Sequence, residues 1–241
     1  MKLFRPEVFQ GQIRYRHYFE GWYLKHLTAG LDHVISFIPG VSLTMKDPHS
    51  FIQVMDGISG KSWYVRYDLS SFTWDRKYFR VSIGNSIFSR DFSDIDISDA
   101  NLKVRGKITY HDMVRFPSTI FSPGIMGWYS FVPFMECKHG VVSVDHTLQG
   151  VLEFNEQKID FNNGRGYIEK DWGTSFPAAW IWLHSNAFDS RRVSVMLSVA
   201  KIPWLGSYFM GFLCFLFLDD EFFLFSTYNG SRSKMPGKKE I

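Results

Sequence analysis

The amino-acid sequence predicts an all-β protein, and three observations carry that expectation. Period-2 alternation of apolar and polar residues, bounded by turn residues, dominates the chain. No stretch longer than about ten residues keeps a helical 3.6-residue period without Gly or Pro. Strand-like segments recur every ~8–12 residues with turns between them, the rhythm of a sandwich or barrel.

Taken in order, His33–Ile38, Phe51–Met55 and Ser62–Tyr67 read as strands. The last two are joined by Asp56-Gly57-Ile58-Ser59-Gly60, which has the chemistry of a hairpin loop. Asp94–Ser98, Leu102–Thr109, Gly140–Asp145, Leu148–Phe154 and Arg165–Asp171 alternate in the same way. Ser194–Ala200, Gly211–Leu218 and Glu221–Thr227 continue the series. Residues 116–128 hold two prolines and two glycines and break the alternation. The chain is therefore expected to divide into a first β unit over 1–115, a connecting loop at 116–128, a second β unit over 129–230 and a polar basic tail at 231–241. Gly21-Trp22-Tyr23 and Gly127-Trp128-Tyr129 each open a run of strands, which suggests two related halves. The second half has fewer strands than a closed barrel needs.

Composition narrows the function. Of 241 residues, 45% are hydrophobic and 21% charged, which is globular usage. Aromatic residues reach 18%, with 24 Phe, 11 Tyr and 8 Trp. Rings that each bury ~150–250 Å² can line an apolar cavity as well as fill a core. The formal charge of +3 lies in the tail, where Arg232, Lys234, Lys238 and Lys239 face only Glu240. No basic face remains for phosphates, so a nucleic-acid partner is not expected. Cys137 and Cys214 lack C-x-x-C spacing and read as thiols in a reducing compartment. Met1-Lys2-Leu3-Phe4-Arg5-Pro6 has no apolar signal region, which suggests a cytoplasmic protein. Phe209–Leu218 is too short an apolar run to span a bilayer as a helix.

Common catalytic templates are missing: the sequence has no G-x-S-x-G, P-loop or H-E-x-x-H. Gly164-Arg165-Gly166 runs into a strand pattern rather than a helix, so no dinucleotide site is expected. The histidines show no metal-ligand spacing, so a metal is not expected. What remains is carboxylates among aromatic residues. In Tyr167-Ile168-Glu169-Lys170-Asp171-Trp172, alternation puts Tyr167, Glu169 and Asp171 on one face and Ile168, Lys170 and Trp172 on the other. Two acids ~6.5–7 Å apart on a strand, desolvated and mutually repelling, can yield a proton donor near neutral pH, with Tyr167 as partner or relay. A solvated strand face with Lys170 pairing locally is the competing reading. Glu20 and Glu136 likewise sit among large apolar groups, and for each a buried acid satisfied by backbone N–H groups or by a Lys or Arg across the sheet is the favoured reading. His146 is expected to be a core histidine bonded to a backbone carbonyl.

Several segments together resemble the tocopherol cyclase family. They are Phe19-Glu20-Gly21-Trp22-Tyr23, Phe121-Ser122-Pro123-Gly124, Phe131 to Cys137, and Gly164-x-Gly166-Tyr167-Ile168-Glu169-Lys170-Asp171-Trp172-Gly173 with Trp180-x-Trp182 beyond it. The chain is also similar, more distantly, to the carotenoid 1,2-hydratases, whose Gly-Tyr-x-acid motif corresponds to Gly166-Tyr167-x-Glu169. The resemblance implies two calycin-like β-barrels, the second incomplete here, around a cavity for a prenyl chain. It implies cofactor-free, acid-catalysed O–H addition across a trisubstituted alkene, closing a prenylated quinol to a chromanol. Glu169 is then the acid, Tyr167 its relay and Asp171 the neighbour that raises its pKa. Glu20, Trp22, Tyr23, Trp128 and Glu136 are expected to contact substrate, with His146, Trp172, Trp180 and Trp182. Aromatic walls suit a carbocation, since a cation over a ring gains ~0.5–2 kcal/mol. A hydrophobic prenylated small molecule is the expected partner, with peripheral membrane contact for its uptake. A hydratase, or a lipid carrier that only binds, is the alternative.

Overall fold

The computed structural model describes residues 2–132, 135–188, 192–204 and 207–232. It is all-β, with 61% strand. Contacts divide it into two compact units, Met1–Phe176 and Pro177–Ile241.

The first unit contains β1 His17–Leu27, β2 Val34–Thr44, β3 His49–Asp56, β4 Ser62–Asp68, β5 Phe72–Trp74 and β6 Arg80–Ile83. It continues with β7 Ser86–Ser89, β8 Phe92–Asp99, β9 Leu102–Val114, β10 Cys137–Phe154, β11 Gln157–Asp160 and β12 Gly164–Gly173. All twelve join one antiparallel sheet in the order β4-β3-β2-β1-β12-β10-β9-β8-β7-β6-β5, with β11 on β10. Among the described residues no pairing links β4 to β5, so the sheet is not closed into a barrel by hydrogen bonds.

The division expected at 116–128 falls instead after Phe176. After that loop the chain does not begin a new sheet: β10 pairs with β9 on one side and β12 on the other, and β12 pairs with β1. The supposed repeat dissolves for the same reason. Gly21-Trp22-Tyr23 lies inside β1, whereas Gly127-Trp128-Tyr129 opens a short 3-10 helix, Gly127–Phe131. Pro and Gly broke the alternation without breaking the domain, since a loop between paired strands carries the same residues as a linker.

Alternation sorts β1 and β12 into two faces. Trp22 and Leu24 of β1, with Ile168 and Trp172 of β12, join the main hydrophobic core. Trp22 is fully buried and stacks on Phe79 at 6.0 Å, and its indole N–H donates to the Glu7 carbonyl at 2.8 Å. The opposite face carries Tyr23 and Lys25 beside Tyr167, Glu169 and Asp171, with Tyr23 directly across from Glu169. Gly164 and Gly166 serve close packing. A Cβ on Gly166 would lie 2.1 Å from His146 Nε2, and one on Gly164 would lie 2.2 Å from the Leu27 carbonyl oxygen.

The second unit is a four-stranded antiparallel meander of β13 Trp180–Ser185, β14 Val193–Trp204, β15 Ser207–Leu218 and β16 Glu221–Ser226. Among the described residues no helix is long and apolar enough to cross a membrane. Of the basic tail, all but Ser231 and Arg232 lies outside the described residues, as do Pro133 and Phe134.

Candidate active site

The acid-bearing strand β12 lies in the interior of its sheet, between β1 and β10, so each of its residues has a neighbour on both sides. Glu169 is level with Tyr23 of β1 and Val141 of β10, and Asp171 is level with Gly21 and His139. Tyr167, Glu169 and Asp171 share one face, as alternation requires. The Tyr167 hydroxyl donates to Glu169 Oε2 at 2.7 Å. Both residues are buried, whereas Asp171 is partly exposed.

His139, which the sequence did not single out, completes the cluster. It sits 32 residues before Asp171, and its Nδ1 lies 2.8 Å from Asp171 Oδ1. Its Nε2 lies 3.4 Å from Glu169 Oε2. One ring nitrogen thus faces each acid. Burial alone would lower the imidazole pKa, but the charges of Asp171 and Glu169 and the hydrogen bond to Asp171 outweigh it and raise the value to about 9. His139 is therefore an imidazolium at neutral pH. Beside it, burial and the Glu169 charge hold the Tyr167 phenol well above its ordinary pKa, keeping it a donor. Tyr23, 6.4 Å from the Tyr167 ring, accepts a hydrogen bond from Ser36 Oγ at 3.0 Å and is raised to about 12, chiefly by burial.

Each of His139, Glu169 and Asp171 also offers a metal-ligand atom within 4.8 Å of the others, a convergence that spacing along the sequence did not foresee. The ring lies between the acids with a nitrogen toward each, and those nitrogens diverge. One ring nitrogen and two carboxylates are a donor set that could hold a cation as well as share a proton.

This geometry carries a pH prediction. The folded pKa of His139 exceeds its ordinary value of about 6.5, so the stabilisation is fully present below about 6.5 and is lost as pH rises through about 9. The melting temperature of the wild type should fall over that window, and His139→Gln should flatten the fall. A His139 imidazole resonance titrating below 7 would overturn this assignment.

The other expected site residues are dispersed. Glu20 is fully buried and pairs with Lys170 across the sheet, as the favoured reading of it required. It also accepts the backbone N–H of Gln10 at 2.8 Å, that of Gly11 at 3.0 Å, and the Tyr18 hydroxyl. Lys170 donates to the carbonyls of Pro6 and Val8 at 2.7 and 2.6 Å and lies over the Trp22 and Trp172 rings. Burial lowers its pKa to about 8, with Glu20 opposing the fall, so the ammonium group keeps its charge at neutral pH. Trp22 and Trp172 belong to that core face, on the side of the sheet opposite Glu169. Glu136 is exposed rather than buried, in the loop before β10, where it accepts from Ser175 Oγ at 2.8 Å. Trp128 is exposed on the 3-10 helix. His146 is buried and bonds to the Ser143 hydroxyl at 2.8 Å. Trp180 and Trp182 lie on β13 of the second unit, the first exposed and the second half-buried.

The fold has counterparts among solved structures. Over 90% of this chain and 70% of the other, the fold is similar to that of a Nitrosomonas europaea protein assigned as AttH, with TM-score 0.58 and 15% identity. It is also similar to CghA, crystallised with Sch210972, with TM-score 0.52 and 8% identity over 86% of this chain and 59% of that one.

Residues 96–233 match the sequence profile described as tocopherol cyclase-like, and the chain belongs to that family. It is similar to the chloroplastic tocopherol cyclase of Zea mays, 29% identical over 111 residues, or 44% of this chain and 23% of that protein. A probable chloroplastic tocopherol cyclase of Oryza sativa subsp. japonica is 28% identical over 111 residues, 44% of this chain and 24% of that one. The matched segment thus spans about a quarter of either plant protein.

Proposed function

We propose that the chain catalyses acid-driven addition of an O–H group across an isoprenoid alkene, closing a prenylated quinol to a chromanol. One observation carries the reading. Within the segment matching the family, a carboxyl group is held between a tyrosine hydroxyl and an imidazolium that a second carboxylate orients.

Glu169 takes the proton of His139 Nε2 and gives it to the less substituted alkene carbon, leaving a tertiary cation and a neutral imidazole. The Tyr167 O–H stabilises the Glu169 carboxylate as it forms again, while Asp171 holds the imidazole by Nδ1–H. The quinol oxygen bonds to the cation and loses its proton, which returns through Glu169 to His139 Nε2. The product is an isomer of the substrate, so no other reactant is consumed.

The test is turnover in D₂O. Cyclisation should place one deuterium on the ring carbon next to the quaternary centre. A product that instead carries ¹⁸O from labelled water would identify a hydratase. Binding of the quinol without any product would identify a carrier.

A further inference from the structure

We propose that the cleft between the amino-terminal segment and the β5–β6 turn binds a soluble organic phosphate, a phosphate monoester on an apolar body. The cleft has a volume of about 500 Å³, within the range of small-molecule sites, and its lining includes Lys2, Phe9, Ile13, Arg14, Trp74 and Arg76. Phe9 is buried and Trp74 half-buried, with ring centroids 4.8 Å apart, whereas Lys2, Arg14 and Arg76 are exposed. The floor is thus apolar and the rim basic. Phe9 also packs on Trp22 at 6.5 Å, in the core on the face of β1 that lies opposite Glu169. The cleft is therefore separate from the acid cluster.

Its two walls are fastened. The Arg5 guanidinium donates to the Lys77 carbonyl, tying the amino-terminal segment to the β5–β6 turn. Gln10 Nε2 donates to the carbonyls of Arg5 and Val8 at 2.9 and 3.0 Å, while the Glu20 carboxylate accepts the N–H groups of Gln10 and Gly11. A ligand would meet a cleft already formed, which lowers the ordering cost of binding.

The charge on the rim is unbalanced. Among the described residues no acid lines the cleft, and none of its three cations pairs with one. The acids of neighbouring segments are engaged elsewhere. Glu7 faces Arg5 at 3.5 Å, Glu20 pairs with Lys170, and Asp75 accepts the backbone N–H groups of Lys77 and Tyr78 at 2.6 and 2.8 Å. Cations of one sign converging over a low-dielectric wall concentrate anions there. Three of them exceed what a monoanion offsets. A phosphate monoester brings roughly −1.5 to −2 charges at neutral pH and three strong acceptor oxygens, and guanidinium forks match phosphate in bidentate fashion. Its apolar body would lie on Phe9, Ile13 and Trp74.

Calorimetric titration of the full chain with 1-naphthyl phosphate tests this. One saturable site is expected, with Kd rising as salt is added. Arg14→Gln and Arg76→Gln should each raise Kd about tenfold, the share of one charge-assisted hydrogen bond. Lys2→Gln should raise it less, because Lys2 also donates to the Gln10 carbonyl at 3.2 Å. The three side chains are exposed, so the variants should melt with the wild type. 1-Naphthol, which lacks the charge, and inorganic phosphate, which lacks the apolar body, should each bind at least about tenfold more weakly. No saturable binding of 1-naphthyl phosphate, equal binding of either fragment, or indifference to both arginine changes would overturn the proposal. So would a chain that pellets with vesicles of phosphatidylcholine and phosphatidylglycerol yet leaves 1-naphthyl phosphate unbound, which would make the rim a lipid-facing patch.

Discussion

Glu169→Gln is expected to lower turnover of a prenylated quinol by roughly 10²–10⁴, the usual cost of a lost general acid, with binding of the quinol little changed. The amide keeps the shape and can still accept from Tyr167, but has no acidic proton to give. His139→Gln should also slow the reaction, by less, because the Tyr167 donor remains. It should in addition remove whatever inflection near pH 9 the imidazolium gives the wild-type profile. Asp171→Asn acts through His139, so its effect should be small when His139 is already Gln. If Glu169→Gln cyclises at the wild-type rate, the acid lies elsewhere and the reading of the cluster fails.

The second large effect falls on stability. Lys170→Met should destabilise the chain by about 3–5 kcal/mol, since it strands the buried carboxylate of Glu20 without its partner. It also removes the donor that the Pro6 and Val8 carbonyls share. Replacing both charges with Met should recover most of that loss, because a well-packed apolar pair avoids the desolvation of two ions. Urea titration of the three proteins measures it. The double variant should also retain cyclisation; lost turnover in a folded double variant would return Glu20 to the site.

Much of this was legible in the strand pattern. Tyr167, Glu169 and Asp171 share a face because a strand leaves no other choice, and the same rule put Lys170 and Trp172 opposite them. Glu20 found the lysine that a buried acid needs. His139 was hidden because its partnership with Asp171 is a matter of strand register across 32 residues. Nothing in the spacing of Cys137-Lys138-His139 reveals which strand lies alongside. The loop at 116–128 misled for a related reason, since local breaks in alternation do not say whether the next strand rejoins the sheet it left. Trp22 shows the limit of composition: an aromatic residue suits a cavity wall or a solid core equally, and here stacking on Phe79 decides for the core.

The strand order has a consequence for synthesis. β12 is the last strand of the first unit to leave the ribosome, yet it belongs between β1 and β10. Until it arrives, β1 presents an open edge, ready to pair with any other extended chain. At ~5–20 residues per second, the ~150 residues that separate the two strands take roughly 10–30 s to make. The ion pair that β12 completes ties the amino-terminal segment down only at that point, through contacts 162 and 164 residues apart in sequence. Such long closures make folding slow. The nascent chain should therefore depend on a chaperone that covers β1 more than a protein of this size with local topology would.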